Sequence, residues 1–185
     1  PSANPFGCIS PTKAEHVEGY FKDIISMVLD GGDCDNGIES TIVGFENDEP
    51  VLYRLGSISV EEIEDVIGEL KIKNKKEIAP DAPGMLSRHY APKTKTFLVD
   101  NVELFAQNFI GKKIGILKFS EDINLPHAAI VEILSKKGDL KEAASKLYST
   151  LHKLDKLDLD VIVAEKFPDY GLGKSINDRL LRATK

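Results

Sequence analysis

At 185 residues, with 42% apolar and 29% charged side chains, the chain has room for one ordinary domain or two small ones and the make-up of a soluble globular protein. No run is long and apolar enough to span a bilayer, no charged-apolar-small signal pattern is present, and Cys8 and Cys34 form no CxxC or zinc-knuckle spacing, all of which fits a reducing cytoplasm. Residues 1–93 carry 9 Lys+Arg against 17 Asp+Glu (−8) and residues 94–185 carry 15 against 13 (+2), so neither half has the basic stripe of an autonomous nucleic-acid binder.

A first segment, residues 1–72, opens on Pro1-Ser2-Ala3-Asn4-Pro5-Phe6-Gly7, a polar turn of the kind that gathers hydroxyls and backbone N–H groups around a phosphate or small polar ligand. Ser10 as a cap and Pro11 at the first position predict a helix. Its apolar face is Val17, Phe21, Ile24, Ile25 and Val28, and Asp30-Gly31-Gly32 stops it. Strands are expected over Ile38–Phe45 and Val51–Arg54, joined by a turn at Asn47-Asp48-Glu49-Pro50. Ser59-Val60-Glu61-Glu62 is a capping box that begins a short helix ending near Gly68.

Residues 73–95 read as a linker, because Pro80, Pro83, Gly84 and Pro92 forbid regular structure. Met85, Arg88, His89 and Tyr90 are unusual side chains for a plain spacer, and they suggest a linker that docks on something. From 96 to 185 strand and helix alternate. Strands are expected at Phe97–Val99, Ile114–Phe119, about Ala129–Leu134 and Val161–Ala164. Helices are expected over Val102–Phe109, along the Leu140, Ala144, Leu147, Leu151, Leu154 stripe, and along Ile176, Leu180 and Ala183. This rhythm predicts a small Rossmann-like parallel α/β sheet. Gly173-Lys174-Ser175 is not the end of a phosphate-binding P-loop, because position 168, where the motif needs glycine, is proline.

Three constellations carry polar chemistry. Ser2, Asn4 and Thr12 surround the opening turn; Glu39-Ser40-Thr41 enters a strand opposite Arg54-Leu55-Gly56; Arg88, His89 and Tyr90 sit in the linker. Alternation in a strand puts Ser40 and Ile42 on one face and Glu39, Thr41 and Val43 on the other, while Arg54 offers a planar donor for an anion. Taken singly, these read more readily as a capped turn, a half-solvated hairpin with an exposed arginine, and a structural or surface histidine.

Together they resemble the threonylcarbamoyl-AMP synthase family in its long form, a YrdC-like catalytic domain followed by a C-terminal domain. The resemblance rests on PSANPFG with SPT, on DGG, CDNGIESTIV and RLG, on the linker PGMLSRHYAP and on the closing GLGKSINDRLLRA, in that order along the chain. Leu55 departs from the family's usual proline and Ser175 from its common alanine.

The resemblance implies a fold: residues 1–72 as the C-terminal part of a YrdC-like α/β twisted-sheet domain, 73–95 as a linker over the active site, and 96–185 as a small Rossmann-like parallel α/β domain. It implies a reaction in which L-threonine, bicarbonate and ATP give threonylcarbamoyl-AMP and pyrophosphate, for the threonylcarbamoyladenosine modification of tRNA. Mg²⁺ is expected with the ATP, and a downstream tRNA threonylcarbamoyl transferase is the expected consumer of the product. No protein nucleophile is required; positioning and charge neutralisation suffice. Carried over by motif, Ser2 and Ser40 contact threonine; Asn4, Thr12 and Arg54 face the nucleotide; and His89 or Tyr90 closes over it.

The family's other phosphate-holding cations fall before residue 1, so the chain is expected to be an N-terminally truncated synthase, inactive alone. Three other readings compete. A carbamoyltransferase relative is disfavoured by the linker motif. A non-catalytic RNA-binding module is disfavoured by the acidic first half. A partner-docking role for residues 94–185 is compatible with the synthase reading.

Overall fold

The computed structural model describes residues 2–74, 89–126 and 128–184. Pro1 and the linker stretch carrying Met85 and Arg88, singled out from the sequence, lie outside the described residues. The chain forms an α/β structure with two sheets. In the first segment, β1 (Ile42–Glu46) and β2 (Glu49–Arg54) make an antiparallel hairpin, and a short β3 (Lys71–Ile72) adds to β2 in parallel. Asn47 and Asp48 alone make the hairpin turn, at φ 51° and 64°, and Glu49 already pairs with Glu46. Both positive φ values suit the strand twist, and Asn and Asp tolerate them. The capping box forms: Ser59 Oγ accepts from Glu62 N–H while the Glu62 carboxylate accepts from Ser59 N–H, opening α2 (Val60–Ile67).

The second sheet is parallel, in the order β4 (Thr96–Val99), β7 (Val161–Glu165), β5 (Ile114–Lys118), β6 (Ala128–Ile133). β5 is buried along its whole length because both edges are paired and both faces covered. A short α3 (Val102–Ala106), continued by a 3₁₀ turn, covers Ile114, Ile116, Val161 and Val163 on one face. The helices α4 (Leu140–Asp155) and α5 (Leu172–Ala183) cover Leu117, Ile162 and Ala164 on the other. Ile9, Ile38 and Tyr90 enter this same core, so the first segment and the linker are anchored on α4 and α5. No helix of the described residues is long and apolar enough to cross a membrane.

Two local expectations fail. The first helix, α1, spans only Ala14–Phe21 with Lys13 at its cap. Ser10 spends its hydroxyl on Glu39 Oε1, 2.6 Å away, instead of capping. Beyond Phe21 most of the expected apolar face stays open to water: Ile24 and Ile25 are 77% and 40% exposed. Periodicity alone does not hold a short helix in water. The second departure is that β1 begins at Ile42 rather than Ile38. The backbone at Gly37 lies so close to α4 that a Cβ there would sit 2.3 Å from Ser145 O, and this contact draws residues 37–39 away from the sheet.

Candidate functional site

The opening turn is held from within. Asn4 Nδ2 donates to the carbonyls of Pro5 and Cys8 at 3.2 and 3.1 Å, leaving Asn4 Oδ1 buried without a partner among the described residues. Ser2 is exposed. Thr12 is buried against α1, where its N–H donates to His16 Nδ1 at 3.1 Å, and its Oγ1 has no partner among the described residues. The end of the linker lies on this turn. Cys8 and Ala91 form an isolated parallel bridge, Ala91 N–H donates to Gly7 O at 2.8 Å, and the Phe6 and His89 rings meet edge to face at 5.6 Å.

His89 and Tyr90 are placed differently. His89 is half-buried and its Nδ1 has no partner among the described residues; burial, helped by Arg179, Arg182 and Arg54 and opposed by Glu39, pushes its pKa down, so it is neutral near pH 7. Tyr90, only 2% exposed, packs its ring against Tyr148 and under the Arg179 guanidinium, whose Cζ is 5.0 Å from the ring centre.

Ser40 and Arg54 come together across the hairpin base. Arg54 Nε donates to Ser40 O at 3.1 Å and Nη2 to Ser40 Oγ at 3.2 Å. Arg54 is mostly buried, not the exposed arginine of a solvated hairpin. The approach depends on Gly56, where a Cβ would lie 2.3 Å from Thr41 N and 2.5 Å from Glu39 O. Nothing among the described residues links Ser2 or Thr12 to this pair by a hydrogen bond.

Behind these residues lies a buried polar hub that motif reading missed. Glu39 accepts from Ser10 Oγ, from Tyr148 Oη (3.2 and 3.0 Å to its two oxygens) and from Arg179 Nε at 2.9 Å. Arg179 also donates Nη2 to Leu55 O and Nη1 to Asp178 Oδ2, both at 2.7 Å. Burial alone would raise the Glu39 carboxyl, but the Arg179 charge and the hydrogen bonds from Ser10 and Arg179 outweigh it and hold the group below its ordinary value. Burial and the Glu39 charge push the Tyr148 phenol well up. The hub is therefore one carboxylate, one guanidinium and one neutral phenol.

Asp178 continues the network to Arg182 Nε at 2.9 Å and Asn74 Nδ2 at 2.8 Å, and Asn74 Oδ1 accepts from Leu55 N–H at 3.2 Å. That last bond is open only to a residue other than proline. Ser175 likewise uses its departure from the common alanine, donating Oγ to Gly56 O at 2.8 Å. One sequence signal pointed here: Arg179 sits at the i+3 position from Ile176, on the apolar face of the last helix, where an unpaired charge would be untenable.

The chemistry of these residues can bind and orient an amino acid and a nucleotide through hydroxyls, an amide, an imidazole and a guanidinium. They do not fit a protein-held magnesium, since hard cations need free carboxylate oxygens and Glu39 is committed to Arg179. Among the described residues no group of three or more His, Cys, Asp or Glu is placed to hold a metal. A cavity of about 1040 Å³ lies elsewhere, between Asn74, α5 and the ends of β4 and β7, and none of the expected substrate residues lines it.

Comparison with known proteins bears on the family and the fold. A family model described as threonylcarbamoyl-AMP synthase, C-terminal domain, matches residues 58–184, and one described as telomere recombination matches residues 1–56. The chain is 36% identical to the threonylcarbamoyl-AMP synthases of Bacillus subtilis and Pyrococcus abyssi, covering 99% and 100% of itself and 56% of each relative. It is 32% identical to that of Schizosaccharomyces pombe, covering 99% of itself and 51% of the relative.

A crystal structure of the P. abyssi protein complexed with L-threonine superposes with a TM-score of 0.85 at 36% identity, over 100% of this chain and 56% of that one. A variant of the same protein, with a histidine and the following tyrosine changed to alanine, gives 0.86 at 34% identity over the same shares. The chain thus spans about half the length of the curated relatives it matches. The fold, the motif order and these matches together place the chain in the threonylcarbamoyl-AMP synthase family.

Proposed function

We propose that this chain contributes to an L-threonylcarbamoyladenylate synthase. One observation carries the reading: of the buried polar side-chain atoms without a partner among the described residues, Asn4 Oδ1, Thr12 Oγ1 and His89 Nδ1 fall on residues expected to face the nucleotide. A buried polar atom left unpaired costs about 1–3 kcal/mol, so three such atoms on these residues support a ligand that supplies the missing bonds; the fourth, Glu61 Oε2, lies on α2. Adenine and ribose offer both donors and acceptors to such atoms. The Ser40–Arg54 contact would set the amino acid beside the nucleotide phosphates. The threonine complex of the P. abyssi relative supports L-threonine as the amino acid.

In this reading Ser2 and Ser40 orient threonine, whose amine has formed a carbamate with bicarbonate, the bicarbonate hydroxyl leaving as water with an amine proton. A carbamate oxygen attacks the α-phosphorus of ATP, the bond from that phosphorus to the bridging oxygen breaks, and pyrophosphate leaves. Arg54 steadies the phosphate charge, while Asn4 and Thr12 hold the nucleotide. His89, whose Nδ1 has no partner among the described residues, is the linker residue that reaches the nucleotide, and Tyr90 anchors the linker on the hub. Mg²⁺ would enter with ATP, held by its phosphates. The adenylate, a reactive mixed anhydride, passes to a tRNA threonylcarbamoyl transferase in the cytoplasm.

The test is pyrophosphate release by the complete gene product that carries this chain. Release should require threonine, bicarbonate and ATP together, with threonylcarbamoyl-AMP seen by mass spectrometry. Release that ignores threonine would overturn the reading.

A further inference from the structure

Four of the stretches expected to touch substrate touch the hub as well. Ser10 stands two residues before Thr12, Glu39 directly before Ser40, Leu55 directly after Arg54, and Tyr90 directly after His89. Ser10, Tyr148 and Arg179 converge on the Glu39 carboxylate. Arg179 then reaches Leu55 O and covers the Tyr90 ring. Arg179 and Tyr148 belong to α5 and α4, helices of the second sheet, which supply no expected substrate contact themselves.

We propose that Arg179, with Tyr148, is a positioning residue: it sets the four substrate-bearing stretches in register, and the helices of the second sheet take part in the reaction by holding the pocket in shape. The inference rests on the synthase reading for its kinetic consequences, but the positioning itself is independent of it. The physical case is the rigidity of a planar guanidinium. Its Nε, Nη1 and Nη2 are all directed at different partners, on Glu39, Asp178 and Leu55, so those three groups cannot shift relative to one another without losing a bond. A purely cohesive interface would need no such agreement, because an apolar contact of equal volume packs as well.

The experiment uses the complete gene product and the variants Arg179→Lys, Tyr148→Phe and, as a control in the far core, Ile116→Val. A lysine keeps the charge but cannot hold three fixed directions, so KM for both threonine and ATP should rise about tenfold or more. Tyr148→Phe removes a bond to Glu39 alone, so KM for threonine should rise about threefold while KM for ATP moves less. Ile116→Val should lower Tm and leave both constants unchanged, which separates positioning from general loss of stability.

Amide hydrogen exchange gives a readout free of activity. The Ser57 N–H, bonded to Glu39 O at 2.9 Å, should exchange faster in Tyr148→Phe and Arg179→Lys than in wild type. Wild-type constants and wild-type exchange in folded Tyr148→Phe and Arg179→Lys would overturn the proposal. If Arg179→Lys does not fold, Tyr148→Phe decides alone. If the wild type releases no threonine-dependent pyrophosphate, the synthase reading fails and the exchange data still decide the positioning.

Discussion

His16 gives the first segment a built-in sensitivity to acid. Its ring stacks on His152 of α4 with centroids 3.8 Å apart and planes 18° from parallel, and its Nδ1 accepts from Thr12 N–H. That hydrogen bond requires an unprotonated Nδ1, and a cationic ring would lie face to face with a second imidazole. Burial, then the charges of His152, Lys156 and Lys13, lower the pKa of His16 from 6.5 to about 4, against a small opposing pull from Asp33.

The sign follows from which state takes the proton first. As pH falls below 6.5 the unfolded chain protonates His16 while the folded chain does not, so protonation favours unfolding. The contribution is complete above pH 6.5 and is lost progressively down to about pH 4, and a shift of this size corresponds to about 3 kcal/mol. That is a large part of the roughly 5–15 kcal/mol that holds a domain together. His152, also lowered by burial, acts in the same direction.

The assay is urea unfolding at pH 7 and pH 4 for the wild type and for His16→Asn, whose amide oxygen can replace Nδ1 as acceptor but does not titrate. Between those pH values the wild type should lose about 2–3 kcal/mol more than the variant. Equal losses in both would refute the reasoning, as would an NMR titration placing the His16 pKa near 6.5.

Three further outcomes follow from the same geometry. Arg54→Ala in the complete gene product should raise KM for ATP by about tenfold or more and KM for threonine far less, because it removes a charged donor; equal changes in both constants would argue against its assignment to the nucleotide. Gly56→Ala should cost about 3 kcal/mol, read as a fall in Tm, because its Cβ would meet the backbone of Ser40 and Thr41 at 2.4 and 2.3 Å and one strand entry must move. Ser59→Ala should cost about 1 kcal/mol by removing the reciprocal cap of α2, measured by chemical denaturation, and should leave substrate constants untouched.

Much of the second sheet was legible because its signals are local. A continuous apolar run such as Val161–Ala164 can only be an interior strand or a buried helix turn, and its length and flanks decide for the strand. The stripe from Leu140 to Leu154 carries its own period, and Asp139 its own cap, accepting from the Lys141 and Glu142 N–H groups. Ser40, Arg54 and the His89-Tyr90 pair could be singled out because they stand in recognisable motifs, and the structure brings Ser40 and Arg54 into hydrogen-bond contact. The first helix was misjudged for the opposite reason: Val17, Phe21, Ile24 and Ile25 have the right spacing, but what buries a face is another surface, and α1 ends at Phe21 where none is present among the described residues.

The amino-acid sequence by itself determined the family, the alternation of elements and which polar side chains stand in the family's motifs, since each of those depends on neighbours a few positions apart. Only the tertiary structure decided which of them touch and what holds them. Arg54 turned inward to Ser40, Tyr90 became an anchor while His89 Nδ1 has no partner among the described residues, and Glu39 met Arg179 across 140 positions of chain. A buried charge is stable only when a partner of opposite sign arrives in the right direction, and no local pattern specifies a partner that distant.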